Sequence, residues 1–234
     1  MSGGGQLVSV GYDDTVRTVD TGSCQYSGSA VSLSAQPRGI TTKNDMTYVV
    51  TMKSIVTMKN GAVVDEMNVE YEPSCCAFSA QHHHLVVGEA GGNTVRVYST
   101  QGGGLDLTKE LTLTGAAQDL SFSPDAKYLV TADSNRKVTL FNAGFYDKPH
   151  NKEWGFHTAK VNCVSWSPNS LYVASGGLDT AIILWSVEAP DKHCIVRNAH
   201  DQSQITGIAW LDNSSLASAG QDSNVKVWNV TWPN

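Results

Sequence analysis

The stretch GFHTAKVNCVSWSPNSLYVASGGLDTAIILW, residues 155–185, decides how this chain folds, because the sequence repeats its pattern 43 residues later. Four residues keep their places in both copies: His157 and His200, Ser175 and Ser218, Asp179 and Asp222, Trp185 and Trp228. In each copy the serine, aspartate and tryptophan follow the histidine by 18, 22 and 28 residues. Short apolar or alternating runs separated by turn residues fill each copy. This pattern is typical of antiparallel strands in a meander.

A period in the forties with these four residues in register is the mark of a WD40 blade in a β-propeller. Going back through the chain, six places can be found where a third strand ends on an apolar or aromatic anchor: Val19, Met58, Tyr98, Phe141, Trp185 and Trp228. The anchors are 39 to 44 residues apart. We therefore predict an all-β propeller of four-stranded antiparallel blades, with third strands centred near Val56, Arg96, Thr139, Ile183 and Val227.

The repeated polar residues predict a buried chain of hydrogen bonds within a blade, from Asp to His, from His to Ser and from Ser to the indole N–H. Every member must be satisfied, since each orphaned buried polar group costs ~1–3 kcal/mol. The set is complete only in the blades that end at Trp185 and Trp228. The preceding blade has other residues at the four places, so we expect it to depend mainly on packing: Leu113, Thr131, Asn135 and Phe141.

The beginning of the chain matches the middle of a blade, because residues 7–19 align with residues 173–185. An open arc of blades would expose unpaired strand edges, which are aggregation sites. We therefore expect residues 1–234 to be a single propeller portion, an incomplete seven-bladed ring, with an upstream propeller missing.

Composition excludes several classes of function. The net charge of −6, with no block of Lys or Arg, argues against a nucleic-acid partner. The N-terminus lacks the basic and apolar regions of a signal peptide, and no apolar run approaches membrane-spanning length, so we expect no membrane association. Five cysteines without metal-ligand spacing favour a reduced, cytoplasmic protein that holds no metal or cofactor.

Several groups could be mistaken for catalytic or ligand sites. His157, Ser175 and Asp179 are the ingredients of a hydrolase triad, but the set recurs and each serine lies inside a strand, whereas nucleophilic serines sit on exposed turns. We therefore predict no enzyme and no catalytic residues. We interpret 82–84 (His-His-His) as a solvated turn with adventitious metal affinity. Residues 102–104 (Gly-Gly-Gly) are a loop rather than a phosphate cradle, and Cys75 and Cys76 are small core residues.

Some of these segments resemble the actin-interacting protein 1 family (WD-repeat protein 1) in order along the chain. The resemblance is carried by GYDDTVR at 11–17, NTVRVYS at 93–99 and HTAKV at 157–161 running into ASGGLD at 174–179. It continues in NAH at 198–200, AWLD at 209–212 and VKVW at 225–228, which look like that family's C-terminal end.

The resemblance implies a non-enzymatic, cytoskeletal partner of actin filaments and cofilin that promotes disassembly of cofilin-decorated filaments. This chain would be most of its second propeller and would act with the missing N-terminal propeller of the same protein. No residue can be assigned a contact with actin or cofilin. Two alternatives stay open: a general WD40 protein-interaction scaffold unrelated to actin, and an enzyme based on the triad-like set.

Overall fold

The computed structural model describes residues 5–152 and 154–231. Strands in this part of the chain form six antiparallel sheets, which we call blades 1 to 6 in chain order. Blade 1 comprises β1 (Gln6–Val10), β2 (Thr15–Asp20), β3 (Gln25–Tyr26) and β4 (Val31–Ser32). Blade 2 comprises β5 (Pro37–Lys43), β6 (Met46–Thr51), β7 (Ser54–Lys59) and β8 (Ala62–Asn68). Blade 3 comprises β9 (Pro73–Ser79), β10 (His84–Glu89), β11 (Thr94–Ser99) and β12 (Asp106–Thr112).

The second half of the described chain holds the other three blades. Blade 4 comprises β13 (Ala117–Phe122), β14 (Tyr128–Asp133) and β15 (Val138–Asn142). Blade 5 comprises β16 (Val161–Trp166), β17 (Tyr172–Gly177), β18 (Ile182–Ser186) and β19 (His193–Val196). Blade 6 comprises β20 (Ile205–Trp210), β21 (Ser215–Gly220) and β22 (Val225–Asn229). No helix in these described residues is long and apolar enough to cross a membrane.

The meander predicted from the sequence is confirmed. Consecutive strands pair antiparallel within blades 2 to 6, and β7, β11, β15, β18 and β22 lie where the third strands were expected. The period-2 pattern of these strands explains their placement, since alternate side chains point to the two faces of a sheet. Both faces are buried in β7 and β18, whereas β22 leaves Val225 and Val227 exposed.

Not every sheet has four continuous strands. In blade 1, β3 and β4 are two short pieces that both pair with β2. In blade 4 the outer position holds only an isolated bridge between Val138 and Trp154. Within the segment before that bridge, Tyr146 has φ 58° and Gly144 has φ 89°, and such left-handed residues interrupt an extended strand. The described part of blade 6 has three strands.

The core is divided into apolar clusters that lie between neighbouring blades. One cluster joins blades 4 and 5 and includes Leu140, Trp154 and Trp185. Another joins blades 5 and 6 and includes Leu184 and Ile205. Similar clusters lie between the earlier pairs of blades. Each blade is therefore stabilised by burial against its neighbours, which is how a propeller forms its core.

The innermost strands of blades 2 to 6 surround a central channel. These strands, β5, β9, β13, β16 and β20, contact one another in that order. Residues from all five line one cavity of about 330 Å³.

Candidate functional site

The two complete polar chains have the connectivity that the sequence predicts. In blade 5, His157 Nδ1 lies 2.9 Å from Asp179 Oδ2, and His157 Nε2 lies 2.8 Å from Ser175 Oγ. The indole N–H of Trp185 donates to the same Ser175 oxygen at 2.8 Å. Blade 6 repeats this geometry with distances of 2.8 to 3.0 Å between the corresponding atoms of His200, Asp222, Ser218 and Trp228. The prediction is confirmed in both blades.

Close packing holds each histidine in place. The His157 and His200 side chains are 0% exposed. A Cβ on Gly177 would lie 2.8 Å from both Asp179 Oδ1 and the Lys160 carbonyl, so a side chain there would collide with the network. Burial opposes ionisation of Asp179, yet hydrogen bonds from His157 and from the Thr158 and Ala181 amides lower its pKa below the ordinary value.

The serines of these chains are not placed as nucleophiles. Ser175 is 0% exposed and Ser218 is 1% exposed, so a substrate cannot reach either hydroxyl. Each serine oxygen also accepts the N–H of a tryptophan, which occupies a lone pair that a nucleophile would use. Both serines lie within second strands, β17 and β21, rather than on exposed turns. The triad-like sets therefore act as hydrogen-bonded supports for their blades.

Blade 4 contains a polar arrangement that the sequence reasoning missed. Leu113 and Phe141 are buried in an apolar cluster, as expected. Asn135, the residue at the aspartate place, is exposed, whereas Asp133 is 1% exposed. Asp133 accepts hydrogen bonds from Thr114 Oγ1 at 2.6 Å and from the amides of Asn135 and Lys137. The carboxylate of this blade comes from a position two residues before Asn135. Hydrogen bonds therefore support blade 4 in addition to packing.

A turn precedes β10 as expected, but the interpretation of residues 82–84 as solvated is wrong for His82 and His84. His82 Nε2 lies 2.8 Å from the carbonyl oxygen of Ala126, and His84 Nδ1 lies 2.8 Å from the hydroxyl of Tyr146. Both partners belong to blade 4, so these half-buried rings join blades 3 and 4. Only His83 is exposed, at a turn with φ 53°.

The remaining side chains and loops that could be reactive or bind a ligand have structural roles. Cys75 and Cys76 are buried, as predicted, and burial raises the pKa of the Cys75 thiol to about 12. All five cysteines are free thiols, and only Cys24 and Cys194 are exposed. Residues 102–104 form a turn between β11 and β12, in agreement with the loop interpretation. In residues 5–152 and 154–231, no group of three or more His, Cys, Asp or Glu side chains could hold a metal ion.

The central channel is lined by polar side chains that the sequence reasoning did not single out. A β-bulge interrupts the pairing of each inner strand, and the extra residue is polar in every case: Arg38, Ser74, Gln118, Asn162 and Thr206. All five line the channel cavity. The last four are spaced by 44 residues, and this spacing is the signal that could have revealed them. Asp119 lies beside them, and burial raises the pKa of its carboxyl to about 6.

The outer surface offers exposed apolar side chains to partners. Tyr12 is 86% exposed and Phe145 is 81% exposed, on blades 1 and 4. On the last strand of blade 6, Val225 and Val227 are 74% and 64% exposed. These residues are available for contacts, but their positions alone assign none of them to a partner.

Comparison with known proteins agrees with the fold. A sequence profile of the family described as "WD domain, G-beta repeat" matches residues 108–142, 150–186 and 192–229. These segments end one residue after the anchors Phe141, Trp185 and Trp228. The matched segments contain blades 4, 5 and 6, and the described residues form an all-β propeller of six antiparallel blades.

Individual relatives extend the similarity to almost the whole chain. Actin-interacting protein 1 of Drosophila melanogaster is 44% identical over 94% of this chain and 36% of its own length. Actin-interacting protein 1 of Caenorhabditis elegans is 34% identical over 97% of this chain and 38% of its own length. WD repeat-containing protein 1 of Gallus gallus is 35% identical over 97% of this chain and 38% of its own length. The chain thus spans little more than a third of the length of these curated relatives.

Proposed function

Because the resemblance to the actin-interacting protein 1 family is confirmed over nearly the whole chain, we propose that this protein promotes disassembly of cofilin-decorated actin filaments without enzymatic chemistry. The observation that carries the proposal is the 44% identity over 94% of the chain to a relative named for its interaction with actin. The proposal places the protein on the cytoskeleton in the cytoplasm.

In this proposal the chain is one part of a longer protein. Its residues correspond to 36% of the length of the Drosophila relative, so the remaining contacts would come from the rest of a longer protein. In this proposal the six blades are most of a seven-bladed second propeller, and an N-terminal propeller supplies further contact with actin and cofilin. This chain alone would then bind filaments weakly.

The proposed mechanism is differential binding. A ligand shifts an equilibrium only by its difference in affinity for the two states, so a protein that promotes disassembly must bind the severed or departing state of a cofilin-decorated filament more tightly than the intact one. The blades provide a rigid scaffold, since their cores contain fully buried side chains such as Trp185, Ile183 and Val173. Loops at the rim of a rigid scaffold suit contact with several subunits. The net charge of −6 suits a basic protein partner better than the acidic surface of actin.

Co-sedimentation with actin filaments tests the proposal. The chain and a longer relative that contains it would each be spun with bare filaments and with cofilin-decorated filaments. We expect the longer protein to pellet more with decorated filaments and the chain alone to pellet weakly. Tight, cofilin-independent pelleting of the chain alone would contradict the proposed division of contacts.

Self-association must be separated from filament binding. The edge strand β22 exposes Val225 and Val227, and exposed apolar edges promote pairing between copies. Val227→Lys is a matched control, because a charge on an edge strand discourages such pairing. We expect this substitution to reduce pelleting in filament-free samples while leaving any cofilin-dependent increment unchanged.

The general scaffold remains the second candidate, and the family profile that matches residues 108–142, 150–186 and 192–229 supports it without reference to actin. In this alternative the rim loops bind a protein partner unrelated to the cytoskeleton. Affinity capture with the immobilised chain distinguishes the two proposals. Retention of a partner in the absence of actin and cofilin, combined with no response to either protein, favours the scaffold.

A further inference from the structure

The five β-bulges of the inner strands place their extra residues at one cavity in the central channel. In blade 3, for example, Cys75 pairs with Gly88 and Pro73 pairs with Glu89, so Ser74 has no partner of its own. A bulge re-aims the side chain of its extra residue, and bulges are frequent next to functional sites. Their recurrence in five successive blades makes the channel a polar cavity of about 330 Å³.

Four of the five bulged residues, all except Arg38, already use their side-chain donors within the protein. The Ser74 hydroxyl donates to the Ala117 carbonyl at 2.8 Å, and the Thr206 hydroxyl donates to the Ala219 carbonyl at 3.2 Å. The Asn162 amide nitrogen donates to Gln204 Oε1 at 3.1 Å and to the Ile205 carbonyl at 2.8 Å.

The donors of Gln118 are also used within the protein, because its amide nitrogen donates to the carbonyls of Ala116 and Ala117 at 3.1 and 3.3 Å. An amide has two N–H donors and a hydroxyl has one, so these four side chains are left with acceptor lone pairs only. Asp119 adds a carboxylate whose two oxygens each accept one backbone N–H, from Leu120 and Val164, both at 2.9 Å. A carboxylate has about four acceptor positions, so it can accept more.

We propose that the cavity binds a positively charged donor group, a guanidinium or ammonium, at the acceptor oxygens of Ser74, Gln118, Asn162, Thr206 and Asp119. Lys and Arg side chains carry donors and no acceptors, which is the complement of this lining. A divalent metal is disfavoured, since the site has one carboxylate and no cluster of metal-ligating side chains within the described residues. Arg38 also lines the cavity, and its charge is paired with Glu72 at 2.9 Å. This inference is independent of the proposed action on filaments.

The occupant that fits best is an arginine or lysine side chain from a protein segment. A cavity of about 330 Å³ accommodates a long side chain with its charged head, and the acceptors are spread over four blades around it. Guanidinium presents five N–H donors in a plane, which allows it to bond several acceptors at once. A free amine shares the chemistry and is the second source that the experiment separates.

The test is a titration of the isotope-labelled chain followed by amide NMR. The probes are acetyl-Gly-Arg-Gly amide, the same peptide with neutral citrulline in place of arginine, and spermidine. We expect the arginine peptide to shift the amides of β9, β13, β16 and β20, and the citrulline peptide to bind at least about tenfold more weakly, since hydrogen bonds with an ionised partner are roughly twice as strong as neutral ones. Binding of spermidine alone would support the free-amine source. Equal binding of arginine and citrulline peptides would overturn the proposal.

Two pairs of variants locate the site. Asp119→Asn removes the charge and should weaken binding of the arginine peptide by about tenfold or more. Asp106→Asn, on the exposed outer strand β12, should leave that binding unchanged. Thr206→Arg places a tethered guanidinium at the cavity and should prevent binding of the arginine peptide. Thr112→Arg, on β12, should not affect that binding. Thr206 is exposed, so this variant tests the site even if Asp119→Asn does not fold. Undiminished binding to Thr206→Arg would refute the location.

Discussion

Replacing Asp179 with alanine tests whether the polar chains stabilise their blades. The Asp179 carboxylate accepts hydrogen bonds from His157 Nδ1 at 2.9 Å, from the Thr158 amide at 2.8 Å and from the Ala181 amide at 3.3 Å. The His157 side chain is 0% exposed, so water cannot replace the lost partner. A buried donor without a partner costs ~1–3 kcal/mol, and loss of the amide contacts adds to it. We expect Asp179→Ala to lower the free energy of unfolding by ~2–4 kcal/mol.

The assay is equilibrium denaturation by urea, followed by tryptophan fluorescence and far-ultraviolet circular dichroism. Asp222→Ala should have a similar effect in blade 6, and Asp133→Ala should destabilise blade 4 because three hydrogen bonds converge on that buried carboxylate. Asn135→Ala is the matched control, since its side chain is exposed, and its effect should stay within about 0.5 kcal/mol. Equal shifts of the midpoint for Asp179→Ala and Asn135→Ala would refute the reasoning.

Three further predictions concern packing, thiols and pH. Gly177→Ala should lower the free energy of unfolding by about 1–3 kcal/mol in the same denaturation assay, because its Cβ would overlap the Lys160 carbonyl; an unchanged midpoint would contradict the packing. A thiol reagent should label Cys24 and Cys194 in the native protein and the other three cysteines only after unfolding; full labelling of the native protein would contradict the burial. The pKa of His84 is lowered in the folded state, mainly by burial and to a smaller extent by the neighbouring His82 and His83. The unfolded chain therefore binds more protons as the pH falls below about 6.5, and stability falls with it. Thermal melts between pH 7 and 5 should show a shallower loss for His84→Phe than for the parent chain, and equal slopes would refute this.

The sequence was most informative where a residue's partners belong to its own repeat. The register of β17 and β18 places Ser175 and Trp185 on one face, and the 22-residue offset places Asp179 beside His157, so the polar chain follows from spacing alone. The third strands were predictable for the same reason. Repeats in register carry their own structural information, because each blade is one meander.

The predictions that failed depend on contacts between blades. His84 bonds Tyr146, which lies 62 residues away in the chain, and no local pattern around three consecutive histidines indicates that partner. The buried carboxylate of blade 4 was missed for another reason: Asp133 lies two residues before the aspartate place of the repeat, so the alignment of the repeats does not single it out. The bulged residues of the channel were missed because each is the second residue of its inner strand, too near the strand's beginning for the change in alternation to be apparent. Their common polar character is visible only when successive repeats are superimposed.

The most direct test of the central proposal is the lifetime of single actin filaments observed by fluorescence microscopy. Filaments decorated with cofilin would be exposed to the longer protein that contains this chain, to the chain alone, or to buffer. The proposal predicts that the longer protein shortens the lifetime of decorated filaments and not of bare ones, while the chain alone has a weak effect. Equal lifetimes of decorated filaments with the longer protein and with buffer would contradict the proposed function.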